Sequence, residues 1–244
     1  MKALIFLFSL FFSLLLVSCS EEKEDDELRF STCADYPPFE YSSKGNIQGF
    51  DIDLARLIAK ELGKNAVFDN RSFSAVLPAL NSGQDDLAIS TITVTEERKK
   101  NFDFSITYYF ETMAAVFPKN QIINDKKDIK NKKIAVQLGS VLDLWAHQHY
   151  PHNEIVAFDT NNQAIEALSA GYVDLVLMDG VQGKAFSAKN NNLASSILGK
   201  SNEGYALALK KGSPLTKKIN QILQQLKAKG ELQKLENQWI DTPS

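Results

Sequence analysis

Residues 155–179 read IVAFDTNNQAIEALSAGYVDLVLMD, and this stretch decides the fold class. The apolar runs Ile155–Phe158 and Val173–Met178 predict two strands, and Asn162–Ala170 between them predicts a helix. Strand, helix and strand in succession are the repeating unit of an α/β sheet. Asp179 follows the second run directly, at the carboxyl end of its predicted strand, where open α/β sheets usually bind their ligands.

The same alternation extends in both directions from this stretch. It predicts strands at Leu28–Thr32, Ala66–Phe68, Leu87–Ser90, Thr112–Pro118 and Lys133–Val136, and helices at Phe50–Leu62, Ser74–Ser82 and Val141–His149. Near the C-terminus, Leu215–Trp239 has helical apolar spacing and predicts a pair of helices split near Gly230. Because no Pro-rich or Gly-rich linker interrupts the chain, we expect two α/β units joined by short crossings.

The N-terminus has the pattern of an export signal. Lys2 precedes the nearly unbroken apolar run Leu4–Val17, which is shorter than the ~20 residues that span a bilayer, so residues 1–18 are interpreted as a signal peptide. The sequence LVSC that ends at Cys19 resembles the bacterial lipobox, which implies lipidation of Cys19. The acidic residues that follow repel one another, so residues 19–27 are expected to form a lipidated tether.

Charge and cysteine content narrow the classes of partner. The formal net charge is −3, with both signs spread along the chain, so nucleic acid is not an expected partner. After Cys19 only Cys33 remains, and no intrachain disulfide is expected. His147, His149 and His152 are close in sequence, but no Cys or acid completes a ligand set, so surface histidines are favoured over a metal site. No cofactor is expected.

Several motifs in a fixed order resemble one known family. They are DYPPFEY at 35–41, GFDIDLA at 49–55, Phe73–Leu80, ISTITVTEER at 89–98, AVQLGS at 135–140, Val173–Asp179 and Gly230–Trp239. Together they resemble the polar amino-acid family of periplasmic binding proteins, which serve ABC importers. The resemblance implies a two-lobed type II fold of two open sheets with flanking helices and a two-strand hinge. Lobe 1 would comprise 28–112 plus 204–244, and lobe 2 would comprise 113–203.

The resemblance also implies a grip on the two charges of a free amino acid. Arg98 would bind the α-carboxylate through a planar fork that lysine lacks. Ser90, Thr91 and Thr93 would add donors beside a helix start that Thr93 and Glu96 are expected to cap. Asp179 would accept the ammonium.

The remaining ligand contacts implied by the family surround the ligand side chain. Tyr36 and Phe73 would stack on it, and Gln137, Ser140 and Val141 would close over the ligand from lobe 2. Cys33 stands where relatives that bind cationic amino acids often carry an acid. The aromatic pair and Gln137 favour arginine, while histidine, lysine and glutamine stay open.

We therefore expect an extracytoplasmic, monomeric amino-acid-binding protein, lipid-anchored in the periplasm or at the cell surface, that closes on its ligand and meets a transporter permease. Its only membrane contact would be the lipid. One alternative is an enzyme on the same fold that resembles cyclohexadienyl or arogenate dehydratases and adds a carboxylate as proton donor. Another is a sensory module, but no signalling domain follows in the sequence, and binding without catalysis is favoured.

Overall fold

The computed structural model describes residues 26–200 and 203–241. The predicted signal peptide, Cys19 and most of the tether lie outside the described residues. Glu27, which the prediction assigned to the tether, is the first residue of the first strand. Across the described ranges, no helix has the length and apolar character that a bilayer crossing requires.

The first sheet combines strands from both ends of the described chain. Its spatial order is Asn65–Asn70 (β5), Glu27–Thr32 (β1), Leu87–Ala88 (β6), Ala208–Lys210 (β13) and Phe102–Phe104 (β7). Strand β1 is parallel to β5 and β6, whereas β13 is antiparallel to β6 and β7. A late strand therefore completes the sheet that the N-terminal segment begins.

Helices cover this sheet because each has one apolar face. They are Phe50–Glu61 (α1), Phe73–Ser82 (α2), Leu215–Ala228 (α7) and Glu231–Trp239 (α8). Leu54 and Ile58, one turn apart on α1, are fully buried in the core that Leu223 of α7 also enters. Gly230 has a φ of +74° between α7 and α8, a conformation that glycine adopts easily, and the predicted split of the helix pair is confirmed.

The second sheet has three central strands that are buried on both faces. Its order is Ile155–Phe158 (β10), Ile134–Gln137 (β9), Leu175–Asp179 (β11), Thr112–Pro118 (β8) and Leu193–Lys200 (β12). On β11, Leu175 and Leu177 enter one apolar cluster and Val176 and Met178 enter another, as alternation along a strand requires. The helices Val141–His149 (α4), Asn161–Ser169 (α5) and Gly180–Lys189 (α6) complete this unit.

Some helices and strands of the structure were not predicted from the sequence. A small antiparallel sheet is formed by Asp35–Tyr36 (β2), Glu40–Ser43 (β3) and Asn46–Gln48 (β4), whose strands are too short to show a period. Helix α6 has almost no apolar face, and glycine is a poor helix former at its positions 180 and 183. The short helix Glu96–Asn101 (α3) buries no residue at all.

Candidate functional site

A cleft with a volume of about 390 Å³, part of it open to solvent, lies between the two sheets. The first sheet and its helices contribute Tyr36, Phe73, Thr91, Thr93 and Arg98 to its lining. The second contributes Gln137, Ser140, Val141, Leu142, Asn161, Leu177, Met178 and Asp179. The structure thus brings most of the predicted site residues to one place, although they are spread over more than half of the described sequence.

Arg98 supplies the positive charge of the cleft. Thr95 is the N-cap of α3 and accepts a hydrogen bond from the Arg98 amide at 3.1 Å, so the predicted capping by Thr93 and Glu96 is wrong. The guanidinium donates to the Thr93 carbonyl at 2.8 Å and, across the cleft, to the Gly139 carbonyl at 3.2 Å. Its central carbon lies 5.9 Å from the centre of the Phe73 ring.

The charge of Arg98 is not neutralised by a protein carboxylate. Among residues 26–200 and 203–241, no acid forms an ion pair with it. Burial lowers the pKa of Arg98 to about 10, so the group is still cationic at neutral pH. A guanidinium has five N–H donors, so this partly buried cation retains donors for an anionic ligand.

Asp179 supplies the negative charge from the other side. It is the last residue of β11 and directly precedes α6, as the prediction placed it. Its Oδ2 accepts hydrogen bonds from the hydroxyl of Tyr36, at 2.5 Å, and from that of Tyr205. Burial raises the pKa of Asp179, while these two hydrogen bonds oppose the shift. Both tyrosines come from the first sheet's side, so they bridge the cleft.

A second acid lies behind Asp179. Glu111 is buried, and its carboxylate accepts hydrogen bonds from the Thr112 amide at 2.5 Å and from the Val181 amide at 3.4 Å. Burial, followed by the charge of Asp179, raises the pKa of Glu111 to about 7. This carboxyl group holds the start of α6 against the crossing that leads into β8.

The second sheet presents polar groups with free hydrogen-bonding capacity. Gln137 Oε1 accepts from Asn161 Nδ2 at 3.4 Å, while Gln137 Nε2 and Asn161 Oδ1 are buried without a partner. Ser140 is the N-cap of α4 and accepts from the Asp143 amide at 3.0 Å. Val141 is the first residue of that helix, where amide groups lack an intrahelical acceptor.

Two predicted residues do not line the cleft. The Ser90 hydroxyl donates to Glu40 Oε1 and accepts from the Cys33 amide, both at 3.0 Å. The Cys33 thiol is buried and donates to Asp35 Oδ1 at 3.1 Å, and burial raises its pKa. These two side chains pack behind the wall of the cleft.

The sequence reasoning also missed lining residues, which are Leu142, Asn161, Leu177 and Met178. Asn161 directly follows the loop after β10, so the rule that pointed to Asp179 also applied to it. In the histidine cluster, His147 Nδ1 lies 3.0 Å from the Asp143 carbonyl and His149 Nδ1 lies 2.9 Å from that of Trp145. Within the described ranges, His, Cys, Asp and Glu form no group able to hold a metal.

This arrangement defines a two-lobed binding protein: a cleft between two α/β units, with a cation from one and an anion from the other. The family comparison agrees, because the model of the bacterial extracellular solute-binding proteins, family 3, matches residues 28–242. The chain belongs to this family, as the sequence motifs predicted. Membership places the protein outside the cytoplasm.

Similar proteins match most of the length of this chain. The arginine-binding extracellular protein ArtP of Bacillus subtilis is 32% identical over 98% of each chain. A crystal structure of a mutant ArgBP from T. maritima has a TM-score of 0.84 and 34% identity, covering 89% of this chain and 96% of that one. The ancestral amino acid-binding protein AncCDT-1, a precursor of cyclohexadienyl dehydratase, gives 0.82 and 34%, covering 88% and 96%. The predicted two-lobed α/β fold is confirmed.

Proposed function

We propose that this protein binds one free polar L-amino acid in the cleft, with arginine favoured, and delivers it to the permease of an ABC importer. The observation that carries the proposal is the pairing of Arg98 and Asp179 across one cleft. Within residues 26–200 and 203–241, neither charge is paired with an oppositely charged side chain. A free amino acid has the complementary charges on one carbon atom.

The grip on the ligand backbone follows from the positions of these groups. Arg98 binds the α-carboxylate through two parallel N–H donors, with the Thr91 and Thr93 side of the cleft beside it. From the other lobe, the hydroxyl of Ser140 and the amide of Val141 reach the same carboxylate. Asp179 accepts the ammonium, which takes part of the place now held by the hydroxyls of Tyr36 and Tyr205.

The side-chain pocket suits a flat polar group. Tyr36 and Phe73 provide aromatic faces, and the unpartnered Asn161 Oδ1 is an acceptor for a guanidinium N–H. ArtP and ArgBP are named for arginine. A side-chain amide would use both Asn161 Oδ1 and Gln137 Nε2, so glutamine is the main competitor. Cys33 lies behind the wall and influences the ligand only through its neighbours.

The rival function is that of a dehydratase on this fold. Among the described residues that line the cleft, Asp179 is the one carboxyl group, and two tyrosine hydroxyls already bond to it. Such an enzyme needs a further acid to give the leaving group its proton. We therefore propose binding without catalysis. Turnover of prephenate or arogenate, followed by absorbance, would reverse this assignment.

The setting of the protein completes the proposal. Residues 1–18 direct export, lipidation of Cys19 anchors a monomer to the membrane, and 19–27 tether it. The lobes comprise 28–112 plus 204–244 and 113–203, and they close on the ligand by a hinge at the two crossings. The bonds from Arg98 to Gly139 and from Tyr36 to Asp179 support closure, because each joins one lobe to the other.

Calorimetric titration with arginine, lysine, histidine and glutamine tests the proposal. We expect one of them to bind, with arginine first, and Asp179→Asn to lower its affinity by at least about 100-fold, since breaking a buried charged hydrogen bond costs about 3 kcal/mol. Glu166→Gln, an exposed site on α5, is the matched control. Heat from none of the four, with a normally melting protein, would reject the proposal.

A further inference from the structure

Two carboxyl groups are buried behind the wall of the cleft, and the binding site does not use them directly. Glu40 on β3 is 1% exposed and Asp51, in the first turn of α1, is 0% exposed. Both contact Thr91, which lines the cleft. Neither forms a hydrogen bond or an ion pair with a Lys or Arg in the described part of the chain.

Each carboxyl group uses one oxygen atom and leaves the other without a donor. Asp51 Oδ2 accepts from the Thr91 amide and from the Tyr108 hydroxyl, both at 2.8 Å. Glu40 Oε1 accepts from the Ser90 hydroxyl at 3.0 Å and from the Thr91 hydroxyl at 3.3 Å. Glu40 Oε2 and Asp51 Oδ1 are buried and have no partner. Buried polar atoms rarely stay unpaired, so these two require an explanation.

One proton accounts for both orphan oxygens. We propose that Glu40 is a neutral carboxylic acid that donates from Oε2 to Asp51 Oδ1, and that this pair positions Thr91 at the wall of the cleft. Two buried carboxylates side by side cannot both be ionised, whereas an acid and a carboxylate that share a proton can coexist. The pair then has one negative charge, held by hydrogen bonds from Thr91, Tyr108 and Glu40.

The conformation of Thr91 shows what the pair holds in place. Its φ is +45°, in the left-handed region that β-branched residues strongly disfavour. The amide bond to Asp51 and the hydroxyl bond to Glu40 fix the residue at both ends. Loss of the pair is expected to release Thr91 toward an ordinary conformation and to displace the Thr91–Thr93 side of the cleft beside Arg98.

The surroundings of the pair favour the neutral, protonated form of Glu40. The titratable groups facing it are Asp35 on β2, the Cys33 thiol beyond β1 and the Tyr108 hydroxyl after β7, and none of these neighbours from the described residues is basic. Burial and then the charge of Asp51 raise the pKa of Glu40. Burial also raises the pKa of Asp51, to about 6, but the hydrogen bonds from the Thr91 amide and the Tyr108 hydroxyl oppose the shift. The proton therefore belongs on Glu40.

The stability of the protein should then depend on pH in a definite direction. A group whose pKa is raised in the folded state contributes stability that is present below its unfolded pKa, and that is lost as pH rises toward the folded value. Glu40→Gln keeps an N–H donor for Asp51 and an acceptor for Ser90 and Thr91, and it has no proton to lose. Its melting temperature minus that of the wild type should increase between pH 5 and pH 9.

The experiment compares the wild type, Glu40→Gln, Glu40→Ala and the control Glu166→Gln. Glu111, whose pKa is about 7, also absorbs as a protonated carboxyl group at pH 7, but its band is common to all four proteins and cancels on subtraction. The infrared spectrum of the wild type or of the control minus that of either Glu40 variant should therefore show a protonated-carboxyl C=O band that belongs to Glu40. Glu40→Gln should melt at or above the wild type at pH 7, and Glu40→Ala well below it. The absence of a Glu40-dependent band, or a Glu40→Gln protein that melts as low as Glu40→Ala, would overturn the inference.

Binding adds a readout that rests on the proposed function. With L-arginine as the probe, Glu40→Ala should lower the affinity at least tenfold, and Glu40→Gln should recover most of that loss. Equal losses in both variants would show that the ionised acid itself is needed and would overturn the inference. If no variant and no wild-type protein binds an amino acid, the proposed function fails, while the infrared band and the melting curves still decide the state of Glu40.

Discussion

Substitution of Arg98 by lysine separates the charge of this residue from its shape. Arg98→Lys keeps the positive charge but loses the planar fork, whose two ends bond to the carbonyls of Thr93 and Gly139. A single charged hydrogen bond contributes about 2 kcal/mol, so the loss of one of two bonds to a ligand carboxylate predicts an affinity about 30-fold weaker. Arg98→Ala leaves that carboxylate buried without a cation, which costs about 3–4 kcal/mol, or several hundred-fold.

The assay is calorimetric titration of the wild type and both variants with the best-bound amino acid. Lys100→Ala, an exposed position on the same helix α3, is the control and should bind like the wild type. Neither Arg98 variant should melt much earlier, because the guanidinium is a partly desolvated charge with no carboxylate partner in the described part of the chain, and its removal relieves that desolvation. An Arg98→Lys protein that binds as tightly as the wild type, or as weakly as Arg98→Ala, would show that the planar shape of the guanidinium does not make the expected contribution to binding.

Three further predictions concern folding and pH. Gly49→Ala should lower the free energy of unfolding by at least about 2 kcal/mol in denaturant titration, because Gly49 has a φ of +131° and an added Cβ would lie 2.2 Å from the Phe39 carbonyl oxygen; an unchanged midpoint would contradict this. Leu54→Ala empties a fully buried site on α1 and should cost about 3 kcal/mol in the same assay, whereas a loss below 1 kcal/mol would mean that the core rearranges. Burial raises the pKa of Glu111 to about 7, so the stability it contributes is complete below about pH 4.3 and is lost as pH rises through 7. The melting temperature of Glu111→Gln should therefore depend less on pH between pH 5 and 8 than that of the wild type. Parallel curves for the two proteins would contradict this prediction.

Local patterns explain why much of the fold was predictable. The helix at Val141–His149 and the strands at Ile155–Phe158 and Thr112–Pro118 have the predicted limits, because their apolar periods are complete within a few residues. The cap of α3 was placed at Thr93 instead of Thr95, since Thr-x-Thr offers two hydroxyls in nearly the same register. Helix α6 lacks an apolar face and gave no periodic signal.

The site was predictable only where motifs or strand ends marked it. Asp179 stands at the end of an apolar run, and Arg98 was identified by family resemblance because its charged surroundings resemble an ordinary solvated helix start. The hydroxyl of Tyr205 on Asp179 and the bonds that bring Glu40 and Asp51 to the same residue, Thr91, depend on tertiary packing. Nothing in the sequence near those residues shows which partners the sheets bring together.

The most direct test of the account is a crystal structure of the protein with its tightest-binding amino acid. We predict that the ligand α-carboxylate accepts two hydrogen bonds from the Arg98 guanidinium and that the α-ammonium lies within hydrogen-bonding distance of the Asp179 carboxylate. A ligand bound elsewhere, or one in the cleft that leaves either of these charges without a ligand contact, would show that Arg98 and Asp179 do not bind the amino acid together.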